Sequence, residues 1–384
     1  MGISTPHALG RNQKFYAKQE TTPGTFDVPA GADAAKVIQS SIDLQIARDN
    51  RIDARSSRSL FERITNKRTV SWSVSKYIIP SGTAGTPPDD DPLWVAAFGQ
   101  DGTNSVGVRE TYSLSSAQTL PTLSILREFN GVFSESIWGA YVNQMTISGS
   151  AGDAPRVSFE GGAFDYAFTG RSVVDGNAAG GTTFDVTAAT RRNINVGSVI
   201  SSGTDDNSGS GYEVTEVNDS NQVTLADSHG GLSDADNVDP FAPTETTSGS
   251  PVAGISGGLE IDSTSIPITA FEIALNNNIS EVGDEAFEPG TTDLVPGFRE
   301  ITGSFTVRAR RDLMIWLASR TAFGTLDVDL TLGGGAGTEV LIELPQVELE
   351  FSAIDVPEAD PATFVLPFRA LASSADDEMT VKFQ

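Results

Sequence analysis

Thr69-Val-Ser-Trp-Ser-Val74 recurs later in the chain as Thr302-Gly-Ser-Phe-Thr-Val307, 233 residues further on. A second pair follows in the same order, Ser150-Ala-Gly-Asp-Ala-Pro155 and Ser352-Ala-Ile-Asp-Val-Pro357, 202 residues apart. Two matches in the same order predict that one structural unit has been duplicated. The difference between the two spacings makes the first copy 31 residues longer than the second.

The elements around these matches also correspond. Strand-like residues 38–47 answer residues 268–277, and the apolar run after Asp91-Pro92 answers residues 311–319. Asp91 is a good N-cap, Pro92 suits the first helical position, and Gly99 is a typical stop. Each copy is therefore expected to contain several strands and one short helix, with the run 89–91 serving as a capping feature and not as a metal site.

Late in each copy one strand alternates between apolar and polar residues. Met145 and Ile147 alternate with Gln144, Thr146 and Ser148. Val347, Leu349 and Phe351 alternate with Gln346, Glu348 and Glu350. Alternation with period two predicts a sheet that has one buried face and one polar face. The residues expected on the polar face are Gln144, Thr146, Ser148, Gln346, Glu348 and Glu350.

The composition argues against an enzyme. The 384 residues include 51 acidic and 25 basic residues, no Cys, and only two histidines, His7 and His229. These counts exclude disulfides, thiolate metal sites and Cys nucleophiles. We find no nucleophile elbow, phosphate loop or metal-ligand spacing, so we predict no catalytic residues, no metal and no cofactor. Abundant carboxylates leave a hydrolase open as a remote alternative.

Charge is distributed unevenly. Residues 48–68 carry a net charge of +4, whereas residues 279–298 occupy the matching place in the second copy and carry −5. We predict that these two segments bind complementary partners, on a neighbouring domain or a neighbouring ring. The alternative is two solvated loops. The residues concerned are Arg48, Arg51, Arg55, Arg58, Arg63, Glu281, Asp284, Glu285, Glu288 and Asp293. A net charge of −26 argues against readout of DNA.

Between the copies lies a region of short strand-like pieces separated by Gly, Asp and Asn. Residues 218–221 read as a hairpin turn, and residues 239–251 as a linker. A loop from Asp205 to Glu213 has oxygen ligands, but its spacing departs from that of a calcium loop. We therefore interpret residues 170–254 as a small inserted β domain, and the Asp205 loop as a solvated hairpin tip.

Four segments resemble the tail tube proteins of long, non-contractile-tailed (siphovirus-type) phages. They are Leu275-Asn-Asn-Asn-Ile279 with Pro296-Gly-Phe-Arg-Glu-Ile-Thr-Gly-Ser-Phe-Thr-Val307, Asp360-Pro-Ala-Thr-Phe-Val-Leu-Pro-Phe368, and the opening Asn12-Gln-Lys-Phe-Tyr-Ala-Lys-Gln-Glu-Thr-Thr-Pro-Gly24. The resemblance implies a mainly β fold in which β-sandwich or barrel tube domains each carry one helix. We expect a first tube domain at 1–169, an outward-projecting insert at 170–254 and a second tube domain at 255–384.

The resemblance also implies a virion structural protein whose rings stack into a conduit for DNA ejection. With two tube domains per chain, a trimeric ring is favoured over a hexamer. The polar-face residues would line an acidic lumen that DNA crosses without specific binding; facing bulk solvent on a monomer is the alternative. Tape measure and tail terminator proteins are the expected partners.

A secreted or surface β-rich binding module, such as an adhesin or S-layer segment, is the competing interpretation. The first residues lack the basic start and apolar run of a secretory signal. The longest apolar runs have six residues, far fewer than the roughly 20 that a membrane span needs. We therefore expect synthesis in the host cytoplasm, no membrane partner and incorporation into a virion tail.

Overall fold

The computed structural model describes residues 7–51, 59, 62–202, 205–254, 256–283, 290–311, 324–350 and 361–384. The prediction of a mainly β chain is confirmed, with strands greatly outnumbering helical segments in these ranges. The helical segments that lie wholly within the described residues are α1 (Asp91–Phe98) and four short 3₁₀ turns at Gly10–Asn12, Gly31–Asp33, Arg191–Asn193 and Asn207–Gly209. The helix expected at 311–319 falls almost wholly outside the described residues.

The strands, in chain order, are β1 (Gln13–Gln19), β2 (Gln39–Asn50), β3 (Arg63–Tyr77), β4 (Thr103–Ser105), β5 (Arg109–Ser113), β6 (Leu123–Phe129), β7 (Phe133–Ala140), β8 (Gln144–Ser150), β9 (Arg156–Ala163), β10 (Asp165–Gly170), β11 (Ser172–Val173), β12 (Gly181–Asp185), β13 (Val199–Ser202), β14 (Tyr212–Val217), β15 (Gln222–His229), β16 (Asn237–Pro240), β17 (Gly257–Ile261), β18 (Thr264–Ile266), β19 (Ile268–Asn276), β20 (Ser280–Val282), β21 (Asp293–Val295), β22 (Glu300–Arg308), β23 (Leu326–Gly333), β24 (Glu339–Leu349), β25 (Thr363–Ala370) and β26 (Thr380–Phe383).

The same order of strand pairing occurs twice. In the first half of the chain, β1-β6-β7-β10 form one sheet and β8-β9-β3-β2 form another. In the second half, β17-β23-β24-β26 and β24-β25-β22-β19 have the corresponding orders, with β24 taking part in both groups. We call β1-β6-β7-β10 the first cover sheet and β17-β23-β24-β26 the second cover sheet.

Two pairings join the halves. β19 pairs with β8 over seven residues, so that β24-β25-β22-β19-β8-β9-β3-β2 form one run of eight strands, here called the long sheet. We call the β8–β19 pairing the seam. The second contact is made by β5, which comes from the first half and pairs with β26 beside the second cover sheet. The hairpin β4–β5 thus uses part of the extra length of the first copy to hold the chain's last strand.

The apolar core lies between the long sheet and the cover sheets. Phe159 of β9, Ile125 of β6 and Leu330 of β23 belong to one continuous buried cluster. Helix α1 lies inside this core: residues 93–98 are all buried, and the ring of Trp94 packs 5.5 Å from Phe159 and 5.3 Å from Phe383. The expected covering helix is therefore enclosed on all sides.

The run Asp89–Asp91 differs from its prediction as a capping feature. Helix α1 ends at Gly99 in a left-handed conformation, as predicted, but Asp90 is the N-cap residue and its side chain makes no capping bond. Asp90 instead pairs with buried Lys76 at 2.8 Å. Asp89 accepts hydrogen bonds from Ser248, and Asp91 accepts one from Tyr112.

Among the described residues, no helix is long and apolar enough to cross a membrane.

Strands β11–β16 form a separate six-stranded sheet in the order β11-β16-β13-β14-β15-β12, with its own core around Val186, Val214 and Val223. We call this unit, residues 172–240, the inserted domain. The predicted hairpin turn at 218–221 connects β14 and β15. Residues 241–254 then lie along the first half, where Thr246 bonds Gly31 and Val252 bonds Ile78.

Candidate assembly surface

The long sheet has one buried face and one polar face, because its strands alternate. Met145 and Ile147 are fully buried in β8, while Gln144, Thr146 and Ser148 are half-exposed on the other side. In β24, Val347 is buried, Gln346 is half-exposed and Glu348 is exposed; Glu350, just after the strand, is also exposed. The predicted alternation is therefore present in the described part of both strands, and Phe351 lies outside the described residues.

The polar face contains further charged residues that the sequence analysis missed. Cross-strand register places Glu160 opposite Gln144, and Glu272 opposite Ser148. Asp43 lies opposite Ser71, and Arg369 lies opposite Glu348. Serine, threonine and glutamine fill most remaining positions of this face. In β9, apolar Val157 and Phe159 alternate with polar Ser158 and Glu160. This alternation could have predicted that Glu160 lies on the polar face.

The long sheet has an open edge at β2. Within the described residues β2 pairs with β3 on one side only, whereas β19, which holds the corresponding place in the second half, pairs with both β22 and β8. An unpaired strand presents free N–H and C=O groups and is a template for pairing with another chain. This edge is twelve residues long and bears half-buried Ile42 and Leu44.

The described parts of the basic segment 48–68 belong to a long hairpin formed by β2 and β3. β9 pairs with β3 only at residues 70–77, so the upper parts of β2 and β3 continue as a two-stranded ribbon, here called the basic hairpin. Arg51 pairs with Glu62 at 2.5 Å across the ribbon, and Arg68 pairs with Asp165 at its base at 2.7 Å. Arg48 and Arg63 are exposed on it. Arg55 and Arg58 lie outside the described residues.

The acidic segment, residues 279–298, contains the two short paired strands β20 and β21. Glu281 of β20 accepts a hydrogen bond from Tyr141 of the first half at 2.8 Å, and burial together with this bond raises the pKa of Tyr141. Asp293 is exposed in β21. The structure does not describe Asp284, Glu285 and Glu288. One acidic residue is thus fixed against the neighbouring half.

The basic hairpin and the acidic segment leave the long sheet at the same end. Asn276 pairs with both Gln144 and Glu300, and Gln144 pairs with Glu160, which places these residues near one end of the sheet. At the same end, Ala163 pairs with Val70, just before the ribbon begins. The two oppositely charged segments are therefore carried on one rim, one from each half.

Side-chain bonds reinforce the seam beside this rim. The amide of buried Asn277 donates to the carbonyl of Ala97 in α1 at 3.0 Å and to that of Val142 at 3.1 Å. Arg299 forms an ion pair with Asp376 and donates to the carbonyl of Ser115 at 3.0 Å. Asn277 belongs to the Asn-Asn-Asn motif noted in the sequence, where its contact with the first half was not foreseen.

Among the residues that the structure describes, no group of three or more His, Asp or Glu side chains is arranged to hold a metal ion. Asp205, in the loop weighed as a calcium site, accepts bonds from the hydroxyl of Tyr212 at 2.6 Å and from the amide of Gly230 at 2.9 Å. The adjacent Asp206 caps the 3₁₀ turn that follows it. These carboxylates serve to hold the loop.

The comparison with protein families gives a match that begins within the inserted domain and continues through most of the second half. Residues 219–370 match the family model described as phage tail tube protein. No curated protein matches the chain significantly. The matched stretch includes the seam strand β19, the acidic segment and most of the second cover sheet. In this stretch the chain is similar to phage tail tube proteins, which supports a structural role in a virion tail.

Proposed function

We propose that this chain is the tail tube subunit of a siphovirus-type phage, and that it contains two copies of one tube domain. The family match supports the role in a tube. The repeated pairing order supports duplication: β8, β9, β3 and β2 take the same places in the first half as β24, β25, β22 and β19 in the second. This repeated order across a continuous sheet is the observation that carries the proposal.

Ring formation would use the two edge strands of the long sheet, β24 and β2. Inside the chain, the seam fills the open side of β19 with β8. We propose that β2 of one chain pairs with the end of β24 of a neighbouring chain, the counterpart of β8. Val347 already has partners on both sides, Leu326 and Ala370, so this pairing would start at Glu348. Because each contact leaves another β2 edge free, the pairing closes only when a ring is complete. Two tube domains per chain favour three chains over six.

The polar face would then line the lumen. Three chains with eight long-sheet strands each give 24 strands, a circumference of roughly 115 Å and a bore of about 37 Å before side chains are counted. Serine, threonine and glutamine predominate on this face, and acidic Asp43, Glu160, Glu272 and Glu348 outnumber basic Arg156 and Arg369, so the wall would offer DNA few sites to bind. Such a wall suits a conduit for DNA ejection, because phosphates are not held by it.

The contacts of the inserted domain support its outward projection. Val199 of this domain, with Phe241 just after it, packs against Tyr16 and Leu126 of the first cover sheet, so the core lies between the domain and the polar face. We propose that the rim segments contact the next ring, and that the finished tube meets tape measure and tail terminator proteins inside the virion.

Negative-stain microscopy of the concentrated protein tests the proposal directly. We expect hollow tubes of stacked rings, with three chains per ring by mass measurement of dissociated rings. A protein that stays monomeric at all concentrations and salt conditions, or one that assembles without a lumen, would contradict it.

Charge reversal tests the part of the basic hairpin. Arg51→Glu, Arg55→Glu and Arg58→Glu together should abolish tubes and leave the circular dichroism spectrum of the protomer unchanged. A matched control reverses Arg191 and Arg192 of the inserted domain, together with Arg171 just before it, and should leave tubes intact. Normal tubes from the hairpin variant would exclude a role of these arginines in stacking.

A further inference from the structure

An unusually exposed aromatic residue lies at the rim end of the seam. Phe298 is 94% exposed, and Val295 of the same acidic segment is 51% exposed. The backbone carbonyl of Phe298 accepts a hydrogen bond from the amide of Asn278 at 2.7 Å, just beyond the end of β19. A large apolar side chain held clear of the protein surface is typical of a contact that forms on assembly.

A groove lies at the opposite end of the same seam. It has a volume of about 290 Å³ and is formed where β8 and β19 end beside β17, β18 and β23. A cavity of roughly 150 Å³ already admits a benzene-sized ring. Its apolar lining includes Ala151, Leu259, Ile268, Phe271 and Leu332.

We propose that Phe298 of one chain seats in this groove of a chain in the next ring. The inference rests on the proposed function, because it assumes stacked rings. The side chain cannot reach the groove of its own chain, since the five residues of β19 from Glu272 to Asn276 lie between the groove and the rim and span roughly 17 Å. A knob and a hole at opposite ends of one subunit give a head-to-tail contact that repeats without closing, as a tube requires.

Charges around the two sites are complementary. The segment that carries Phe298 has a net charge of −5 in sequence, with Asp293 exposed close to it. At the groove end of the long sheet, exposed Arg308 follows Val307, which pairs with the groove residue Ile268. Arg156, Arg310 and Arg311 are exposed at the same end, where Asp153 offsets one positive charge. Opposite potentials fix the register of such a contact.

Two substitutions test the knob and the hole separately. Phe298→Glu should leave rings intact and abolish tubes. Gly258→Trp should do the same by filling the groove; a Cβ added to this glycine meets no atom within 4 Å, so the backbone there accepts a side chain. Val106→Glu, at a residue 90% exposed, and Gly334→Trp, equally open, are the matched controls and should form tubes.

Engineered cysteines provide a direct readout, because the chain contains no native Cys. In tubes of a Phe298→Cys, Gly258→Cys double variant, oxidation should give a ladder of covalent multimers. A disulfide requires Cα atoms within about 7 Å, so the ladder reports contact between copies. Each single variant should give no ladder.

Tubes from Phe298→Glu, or tubes of the double-cysteine variant without a ladder, would overturn this contact while leaving the proposed tube intact. An unmodified chain that forms neither rings nor tubes would contradict the proposed function itself, and the contact with it.

Discussion

The outer faces of the two cover sheets are closed in different ways. On the first, Tyr16, Leu126 and Trp138 form an apolar cluster beneath the inserted domain. On the second, Glu260, Asp329 and Glu343 lie opposite one another across three neighbouring strands. Like charges placed directly opposite each other destabilise a sheet. A face covered by another domain thus became apolar, whereas one left uncovered stayed charged.

The edge strands of the two cover sheets, β26 and β10, are also covered by different partners. The edge of β26 is covered by β5, which pairs with it over four residues. On the first cover sheet, the insert closes the edge: the amide of Asn195 donates to the carbonyl of Phe168 in β10 at 2.7 Å. Both devices protect exposed strand edges from unwanted pairing. Similar pairing frameworks can therefore be completed by different partners.

The largest expected effect concerns Lys76, which is buried in the first half. The repeat spacing of 233 residues places Ala309 at the corresponding position of the second half. Lys76→Ala removes the partner of buried Asp90 and should lower the free energy of unfolding by about 3–5 kcal/mol. Urea unfolding followed by tryptophan fluorescence measures it.

The double variant Lys76→Met, Asp90→Asn is the control, because it leaves no unpaired charge in the core. It should lose clearly less stability than Lys76→Ala. Equal losses in the two variants would show that packing, and not the buried charge, distinguishes the halves here.

A smaller effect is expected from making the first outer face resemble the second. Ile137 and Ile342 hold corresponding places in their sheets, so Trp138 corresponds to Glu343. Trp138→Glu removes the ring that packs on Phe26 and against Gly197, and should cost about 2–3 kcal/mol. The inserted domain should detach, which limited proteolysis within residues 241–250 would detect.

Val196→Ala, at a residue 49% exposed on the inserted domain, is the matched control and should not change the cleavage rate. Unchanged proteolysis of the Trp138→Glu variant would mean that the polar contacts around Asn195 hold the insert without the apolar cluster.

The smallest effect concerns the charged outer face. Burial, and then the charges of Asp327, Glu343 and Glu260, raise the pKa of Asp329. A carboxyl whose pKa is higher in the folded state costs stability at neutral pH, and this cost disappears as the pH falls through the folded pKa. Asp329→Asn should therefore raise Tm at pH 7, and the gain should vanish in acid.

Asp376 should affect stability in the opposite direction, because its pKa is lowered in the folded protein. Burial alone would raise its pKa, but hydrogen bonds from Ser116 and Arg299 and the charge of Arg299 together lower it. Its contribution is present above the unfolded pKa of about 3.9 and is lost as the pH falls through the folded value. Asp376→Asn should lower Tm at pH 7, and shifts of the same sign in both variants would contradict this account.

Local sequence patterns were enough to predict much of the candidate surface. Alternation around Met145 and Val347 predicted the polar face, and Gly99 predicted the end of α1. The contacts between distant parts of the chain that complete this surface could not be predicted from local patterns. Glu160 and Glu272 become neighbours of Gln144 and Ser148 only through strand register, and Asn277 finds one of its two partners in a helix 180 residues earlier in the chain.

Local sequence specifies the β-rich composition, the faces of the strands and the opposite charges of the two rim segments, because each depends on neighbouring residues. Which strand edges meet is settled only when the chain folds: β8 with β19, β5 with β26, and the insert against β10. Backbone hydrogen bonds are the same for any pair of strands, so register and partner are selected by side-chain packing between residues far apart in the chain.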